Sequence, residues 1–276
     1  MKIGYVQFAP RLCDLDGTLE SLAALLPQCK ADLVVLPELC NSGYNFPSAA
    51  EAAATAETVS DSRFLSFLTE HCRRHGCHVV SGFNERDGEA LYNTAVLVGP
   101  QGCRGRYRKL HLFKHEKDFF QPGNLGLPVF DCGPARVGML ICFDWLFPEA
   151  WRVLALQGAD VICHPCNLVL PGLAQRAVPV HALMNRLYIV TANRVGTERK
   201  LAFTGASLIA DPAGEVLVKA PEREPQVAMV EIDLARARDK WITPLNHLLR
   251  DRRPDQYQSL TETVDGPSVA ANEAHP

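Results

Sequence analysis

The chain has 276 residues, 47% of them hydrophobic, which is ample for a large core. Its formal net charge is −3 and its pI about 6.3, so it offers no basic surface for nucleic acid or an anionic membrane. No apolar run reaches the length of a membrane span or a signal peptide, and a cytoplasmic protein is expected.

Strands and helices alternate along most of the chain. Residues 2–8 read as a strand, and 18–29 as a helix with an apolar face at Leu19, Leu22, Ala23 and Leu26. A second strand covers 32–36. A helix over 61–75 is closed by Gly76, and a strand follows at 77–83. Residues 93–99 form a hairpin-like strand ahead of a basic segment, 104–109, whose Arg104, Arg106, Arg108 and Lys109 read by default as a solvated face. An apolar run at 137–141 reads as a buried strand that stops at Cys142. The next helix, 148–158, opens on Pro148 and ends on Gly158. A strand at 160–164, a helix around 175–187 and a strand at 188–193 come next. Strands 208–210 and 216–219 flank the turn Asp211-Pro212-Ala213-Gly214, and 227–232 is the last strand. One domain is expected over 1–257. From 258 the chain turns polar and loses periodicity, as a mobile tail would.

A short internal echo accompanies this order. Ala31-Asp32 with Pro37-Glu38 repeats in register as Ala159-Asp160 with Pro165-Cys166. Two similar strand–helix–strand halves predict an α/β fold of two packed sheets, each with helices outside. The echo sets Glu38 and the Cys166–Asn167 corner at matching strand ends, where α/β proteins gather functional groups.

Ten cysteines are scattered through the chain. Cys13, Cys29, Cys72, Cys132 and Cys163 lie in apolar runs and read as small buried hydrophobes in a reducing compartment. Cys163-His164-Pro165-Cys166, and Cys72 with Cys77 near His71, His75 and His78, fall short of the four ligands of a structural zinc site. No metal and no cofactor is expected.

Cys142 is the candidate nucleophile. It sits at a strand tip, with the backbone N–H of Phe143 beside it as an oxyanion donor. A free thiol titrates near pH ~8.5 and needs a base. Glu38 follows a strand and a proline and can take the proton. Lys109 can stabilise a thiolate or an oxyanion, and Glu116 lies shortly after it.

These motifs resemble the nitrilase superfamily of carbon–nitrogen hydrolases. The resemblance rests on Leu36-Pro37-Glu38 with Gly43-Tyr44, and on Arg108-Lys109-Leu110-His111-Leu112-Phe113 with Glu116 and Phe120-x-Pro122-Gly123. It continues through Gly138-x-x-Ile141-Cys142-Phe143-Asp144 with Phe147-Pro148-Glu149. Ala192-Asn193-Arg194-Val195-Gly196, Phe203-x-Gly205-x-Ser207, and Asp251-Arg252-Arg253-Pro254 with Tyr257 complete it. The match spans 1–257 in order and looks most like small archaeal-type nitrilases and aliphatic amidases. It implies a four-layer αββα sandwich, a Glu38–Lys109–Cys142 triad and a supporting Glu116. It also implies a homodimer or higher oligomer, with 252–257 as the crossing segment.

Tyr44, Trp145 and Asn167 are the expected substrate-binding residues. No arginine pair for a carboxylate accompanies the motifs, although Arg176, Arg186 and Arg194 lie within possible reach. The leading expectation is hydrolysis of a small aliphatic amide through a cysteine thioester. A nitrilase uses the same residues. An N-carbamoyl amide hydrolase would release carbon dioxide as well as ammonia. A catalytically retired relative with a binding role is the alternative from another class. A papain-like pairing of Cys142 with His111 or His164 ranks below these, because Glu38 and Lys109 already supply the needed groups.

Overall fold

The computed structural model describes residues 1–263. The chain divides into two compact units, Met1–Asp239 and a second that begins at Lys240. The expected boundary at 257 thus falls inside the second unit. Residues 258–263 of the expected tail contain a 3₁₀ turn, Gln258–Thr261. The rest of the tail lies outside the described residues.

The first unit begins with β1 (Lys2–Gln7), α1 (Leu15–Leu25), β2 (Leu33–Val35), α2 (Ala49–Ala54) and α3 (Arg63–His75). Strands β3 (His78–Asp87), β4 (Ala90–Gly99), β5 (Gly102–Arg108), β6 (Val129–Cys132) and β7 (Ala135–Met139) follow. Then come α4 (Pro148–Leu156), β8 (Val161–Cys166), α5 (Leu173–Asn185) and β9 (Tyr188–Asn193). Two short strands, β10 (Thr197–Glu198) and β11 (Leu201–Ala202), precede β12 (Leu208–Ala210), β13 (Val216–Lys219), β14 (Gln226–Glu231) and α6 (Leu234–Arg238). The second unit holds a small hairpin, β15 (Trp241–Thr243) with β16 (Asn246–His247).

Two six-stranded sheets have the same plan. One runs β14-β1-β2-β3-β4-β5 and the other β6-β7-β8-β9-β12-β13. In each, three central strands are parallel and the flanking ones antiparallel. The internal echo therefore has a structural counterpart. The Asp32 carboxylate accepts from Lys2 N at 2.7 Å, and the Asp160 carboxylate accepts from Arg136 N at 2.9 Å. Each aspartate ties the start of its strand to the strand beside it.

Side chains alternate across the first sheet as a strand requires. Ile3, Tyr5, Leu33, Val35 and Val80 pack inward with Val137, Met139, Val161 and Val190 of the second sheet. Val6, Val34, Leu36 and Val79 face outward onto Leu22 and Leu26 near α1, and Phe64, Leu68 and Cys72 of α3. The four layers follow from those two faces.

Helix ends obey local chemistry. Ser62 accepts from Leu65 N at 3.0 Å to cap α3, and Arg73, Arg74 and His75 fill its last turn. Gly76, at φ 65°, makes the left-handed turn that ends it. Helix α1 starts before residue 18 because Asp14 caps it through Gly17 N at 2.9 Å. It gives way to a 3₁₀ turn at Leu26–Gln28, where Pro27 lacks an N–H.

Three expectations need correction. Cys13 is exposed, in the loop ahead of α1, whereas Cys29, Cys72, Cys132 and Cys163 are buried. The basic segment is strand β5, and its Arg108 is buried rather than solvated, because it meets the fully buried Glu85 at 2.7 Å. The run leading to Cys142 is strand only as far as Met139. Among the described residues, no helix is long and apolar enough to cross a membrane.

Gly82 of β3 passes tightly against the Glu38 segment. A Cβ there would lie 2.3 Å from Glu38 Cα and 2.4 Å from Leu39 N. Gly82→Ala is expected to cost about 1–3 kcal/mol by overpacking. Thermal unfolding of the variant should show a lowered Tm, and an unchanged Tm would mean that this backbone approach is slack.

Candidate active site

The site assembles where strand ends from both sheets meet. Glu38 follows β2 and is fully buried. Leu39 beside it takes a left-handed φ of 46°. Cys142 opens the 3₁₀ turn Cys142–Leu146 beyond β7, also at a left-handed φ of 43°. Non-glycine residues hold that conformation at a cost of ~1–3 kcal/mol, and do so where the surroundings fix them. Lys109 leaves β5 with its backbone N–H on the Asn93 carbonyl at 2.8 Å. Glu116 sits in the 3₁₀ turn Lys114–Asp118.

The side chains converge on Lys109. Its ammonium donates to Glu38 Oε1 at 2.7 Å and to Glu116 Oε1 at 2.8 Å. Burial opposes that charge, but Glu116 and Glu38 outweigh it and hold the lysine pKa well above its usual range. Burial raises the Glu116 pKa, against the lowering effect of Lys109. Asn93 Nδ2 donates to Glu38 Oε1 at 2.7 Å. Glu38 Oε2 and Glu116 Oε2 are buried and have no hydrogen-bond donor. Burial pushes the Cys142 thiol upward, while Cys166 and Lys109 pull it down and the two glutamates oppose them. The net effect is upward, which favours the thiol over the thiolate.

The expected pocket residues divide. Trp145 and Asn167 line a narrow pocket with Phe113, Cys142, Phe143 and Leu168. Asn167 Nδ2 also donates to the Glu38 carbonyl at 3.0 Å and joins the ends of β2 and β8. Tyr44 is outside that lining but beside the lysine cluster, and its hydroxyl donates to Glu116 Oε1 at 2.8 Å. The N–H of Phe143 belongs to the first turn of a 3₁₀ segment and has no acceptor within it. Arg194 is tied to Glu198 and to the Pro10 carbonyl, and stacks on Phe203.

The sequence profile of the carbon-nitrogen hydrolase family matches residues 2–240. The chain belongs to that family, within the nitrilase superfamily. It is 49% identical to a nitrilase of Pyrococcus abyssi, over 93% of this chain and 99% of that protein. A carbon-nitrogen hydrolase from Helicobacter pylori superposes with a TM-score of 0.84 at 27% identity, over 95% of this chain and 98% of that one. An amidase variant from Nesterenkonia superposes with a TM-score of 0.76 at 26% identity, over 92% and 94% of the two chains. That structure has the acetamide moiety of fluoroacetamide added covalently at the active-site cysteine.

Several residues that shape this hydrolase's site escaped the sequence reading. Asp144, fully buried, accepts from Tyr107 Oη at 2.7 Å and Ile141 N at 2.8 Å, and pairs with His111 Nδ1 at 2.7 Å. It clamps the turn that presents Cys142. His181 Nε2 donates to the Trp145 carbonyl at 2.9 Å. The motif includes Asp144 and His111, but nothing local shows that they pair. Among the described residues, no group of three or more His, Cys, Asp or Glu is arranged to hold a metal.

His164 gives the hydrolase a pH signature. Burial lowers its pKa from 6.5 to about 4. The unfolded chain then binds the proton first as pH falls, so stability is full above about 6.5 and drains away toward pH 4, by up to about 3 kcal/mol. Melting curves across that window should show a steeper acid loss in the wild type than in His164→Gln. Parallel curves would remove His164 from the account.

Proposed function

We propose that this hydrolase cleaves small aliphatic amides to the acid and ammonia, with Cys142 as nucleophile. The observation that carries the reading is the pair of buried carboxylate oxygens without donors, Glu38 Oε2 and Glu116 Oε2. A primary carboxamide brings two N–H donors to such acceptors. A nitrile brings none. The pocket wall is largely apolar, with Phe113, Phe143, Trp145 and Leu168, which suits a short neutral acyl group.

Glu38 takes the thiol proton as Sγ forms a bond to the amide carbon. Lys109 Nζ and the Phe143 N–H hold the resulting oxyanion. As the C–N bond breaks, protonated Glu38 gives its proton to the leaving nitrogen, and ammonia departs. Glu38 next deprotonates water, which adds to the thioester carbon. Loss of the thiolate releases the acid, and the sulfur is reprotonated. Glu116, bound to Lys109 and Tyr44, keeps the ammonium aimed. Tyr44 acts through Glu116, while Trp145 and Asn167 shape the acyl side. All of this machinery lies within Met1–Asp239.

Nitrile hydrolysis is the second reading, favoured by the 49% identity to a protein named nitrilase. Ammonia release from matched amide and nitrile pairs of the same acyl chain separates the two. The expected result is a higher kcat/KM for the amide, no turnover in Cys142→Ala, and a loss of roughly 10²–10⁴-fold in Glu38→Gln. A preference for the nitrile of each pair would overturn the amide reading. Turnover surviving in Cys142→Ala would overturn both.

We further propose a homodimer or higher homo-oligomer in the cytoplasm, where the ten free thiols would stay reduced. Val180, Leu183 and Met184 on α5 are about half exposed, with Val153 and Leu156 of α4 also bare. An outward apolar stripe of this kind suits a second copy. Light scattering should give twice the chain mass, and Val180→Glu should shift it toward monomer. A monomeric wild type at micromolar concentration would rule the dimer out.

A further inference from the structure

His164 lies on β8, fully buried beside the nucleophile. Its Nε2 is 2.9 Å from the Cys142 carbonyl oxygen. A carbonyl only accepts, so Nε2 carries the proton. Nδ1, 3.1 Å from Thr191 Oγ1, then accepts from that hydroxyl. Burial keeps the ring neutral near pH 7 and so preserves this tautomer. Trp151 meets the ring edge-on at 5.5 Å, and Cys166 Sγ stands 3.4 Å from both ring nitrogens. The ring is thus held on several sides.

The Cys142 carbonyl and the Phe143 N–H belong to one peptide unit. That unit is trans and planar, so its N–H points opposite to its carbonyl. With the carbonyl anchored on His164, the Phe143 N–H faces away from that ring, and Cys142 and Phe143 both line the pocket. The left-handed φ of Cys142 needs an outside constraint to persist, and the His164 bond is one. A donor on the carbonyl also polarises the N–H of the same peptide and makes it a stronger donor.

We infer that His164 is a positioning residue for the oxyanion donor: by fixing the Cys142–Phe143 peptide it aims the Phe143 N–H at the oxygen of the tetrahedral intermediate. This rests on Cys142 adding to a carbonyl as proposed above. It differs from a Cys–His pair, because the imidazole proton is on a backbone carbonyl and the lone pair is on Thr191.

Addition to an amide builds an oxyanion. Alkylation of the same thiol by iodoacetamide displaces iodide and builds none. Both rates are measured on the wild type, His164→Leu and His164→Gln, with the alkylated residue located by mass spectrometry. Leucine removes the donor, whereas glutamine presents an N–H near the place of Nε2. In His164→Leu, kcat should fall roughly 10–100-fold with KM little changed, while Cys142 alkylation stays within about threefold. His164→Gln should recover most of kcat. An unchanged kcat in the leucine variant, a parallel fall of both rates, or glutamine no better than leucine would each overturn the assignment. Should the leucine variant not fold, Thr191→Val carries the test, since it keeps the ring and frees its tautomer. The same split between turnover and alkylation is expected there, smaller in size, and its absence counts against the role. The wild-type rate keeps the two readings apart. A wild type that hydrolyses amides beside an unaffected His164→Leu sinks the His164 role alone.

Discussion

One buried ammonium organises this hydrolase. Lys109 is 1% exposed, and an uncompensated charge there costs several kcal/mol. Glu38 and Glu116 supply the compensation from two separate segments. Three backbones must therefore meet at one nitrogen atom. Asn93 enforces part of the meeting, since its carbonyl receives the Lys109 N–H and its amide donates to Glu38. Two carboxyl groups share one ammonium in a dry place, and burial there raises the Glu116 pKa. Proton affinity is thus concentrated beside the Cys142 thiol.

The geometry that brings those backbones together comes from duplication of one plan. Each sheet has a parallel centre with antiparallel flanks, and each carries its chemistry just past the ends of its central strands. Glu38 follows β2, and Cys166 ends β8 at the matching position. Asn167 bridges the two by donating to the Glu38 carbonyl. Leaving a strand end with a side chain turned sideways demands unusual backbone. Leu39, Lys114 and Cys142 all have left-handed φ values. The strain is held by buried hydrogen bonds, with Asp144 clamping the front of the Cys142 turn and His164 its carbonyl.

Legibility followed distance along the chain. The order of strands and helices was readable because alternation and capping are local. Ser62, Gly76 and Pro148 mark their helix ends in the sequence itself. Glu38, Lys109, Cys142 and Glu116 could be singled out because each sits in a distinctive short motif, and the structure brings the two glutamates onto the lysine. Asn93 could not, since an asparagine inside a strand carries no sign of what it faces 55 residues away. Tyr44 was readable as a neighbour of Glu38, but its bond to Glu116, 72 residues on, was not. Arg108 looked like one more surface cation, because only pairing of β3, β4 and β5 shows it the buried Glu85. The short helix α2 passed unnoticed, since six mostly alanine residues carry almost no apolar periodicity.

By itself, then, the sequence determined the family, the layered architecture and which thiol, carboxyls and ammonium stand out as site candidates. Residue type and spacing encode those directly. Tertiary structure alone decided the charge balance and the aim. Which carboxylate oxygens are bound and which are free, which imidazole nitrogen holds its proton, and which way one peptide N–H points all depend on contacts between distant segments. Burial then gives those contacts their weight, because a charge or a dipole acts far more strongly where water is excluded.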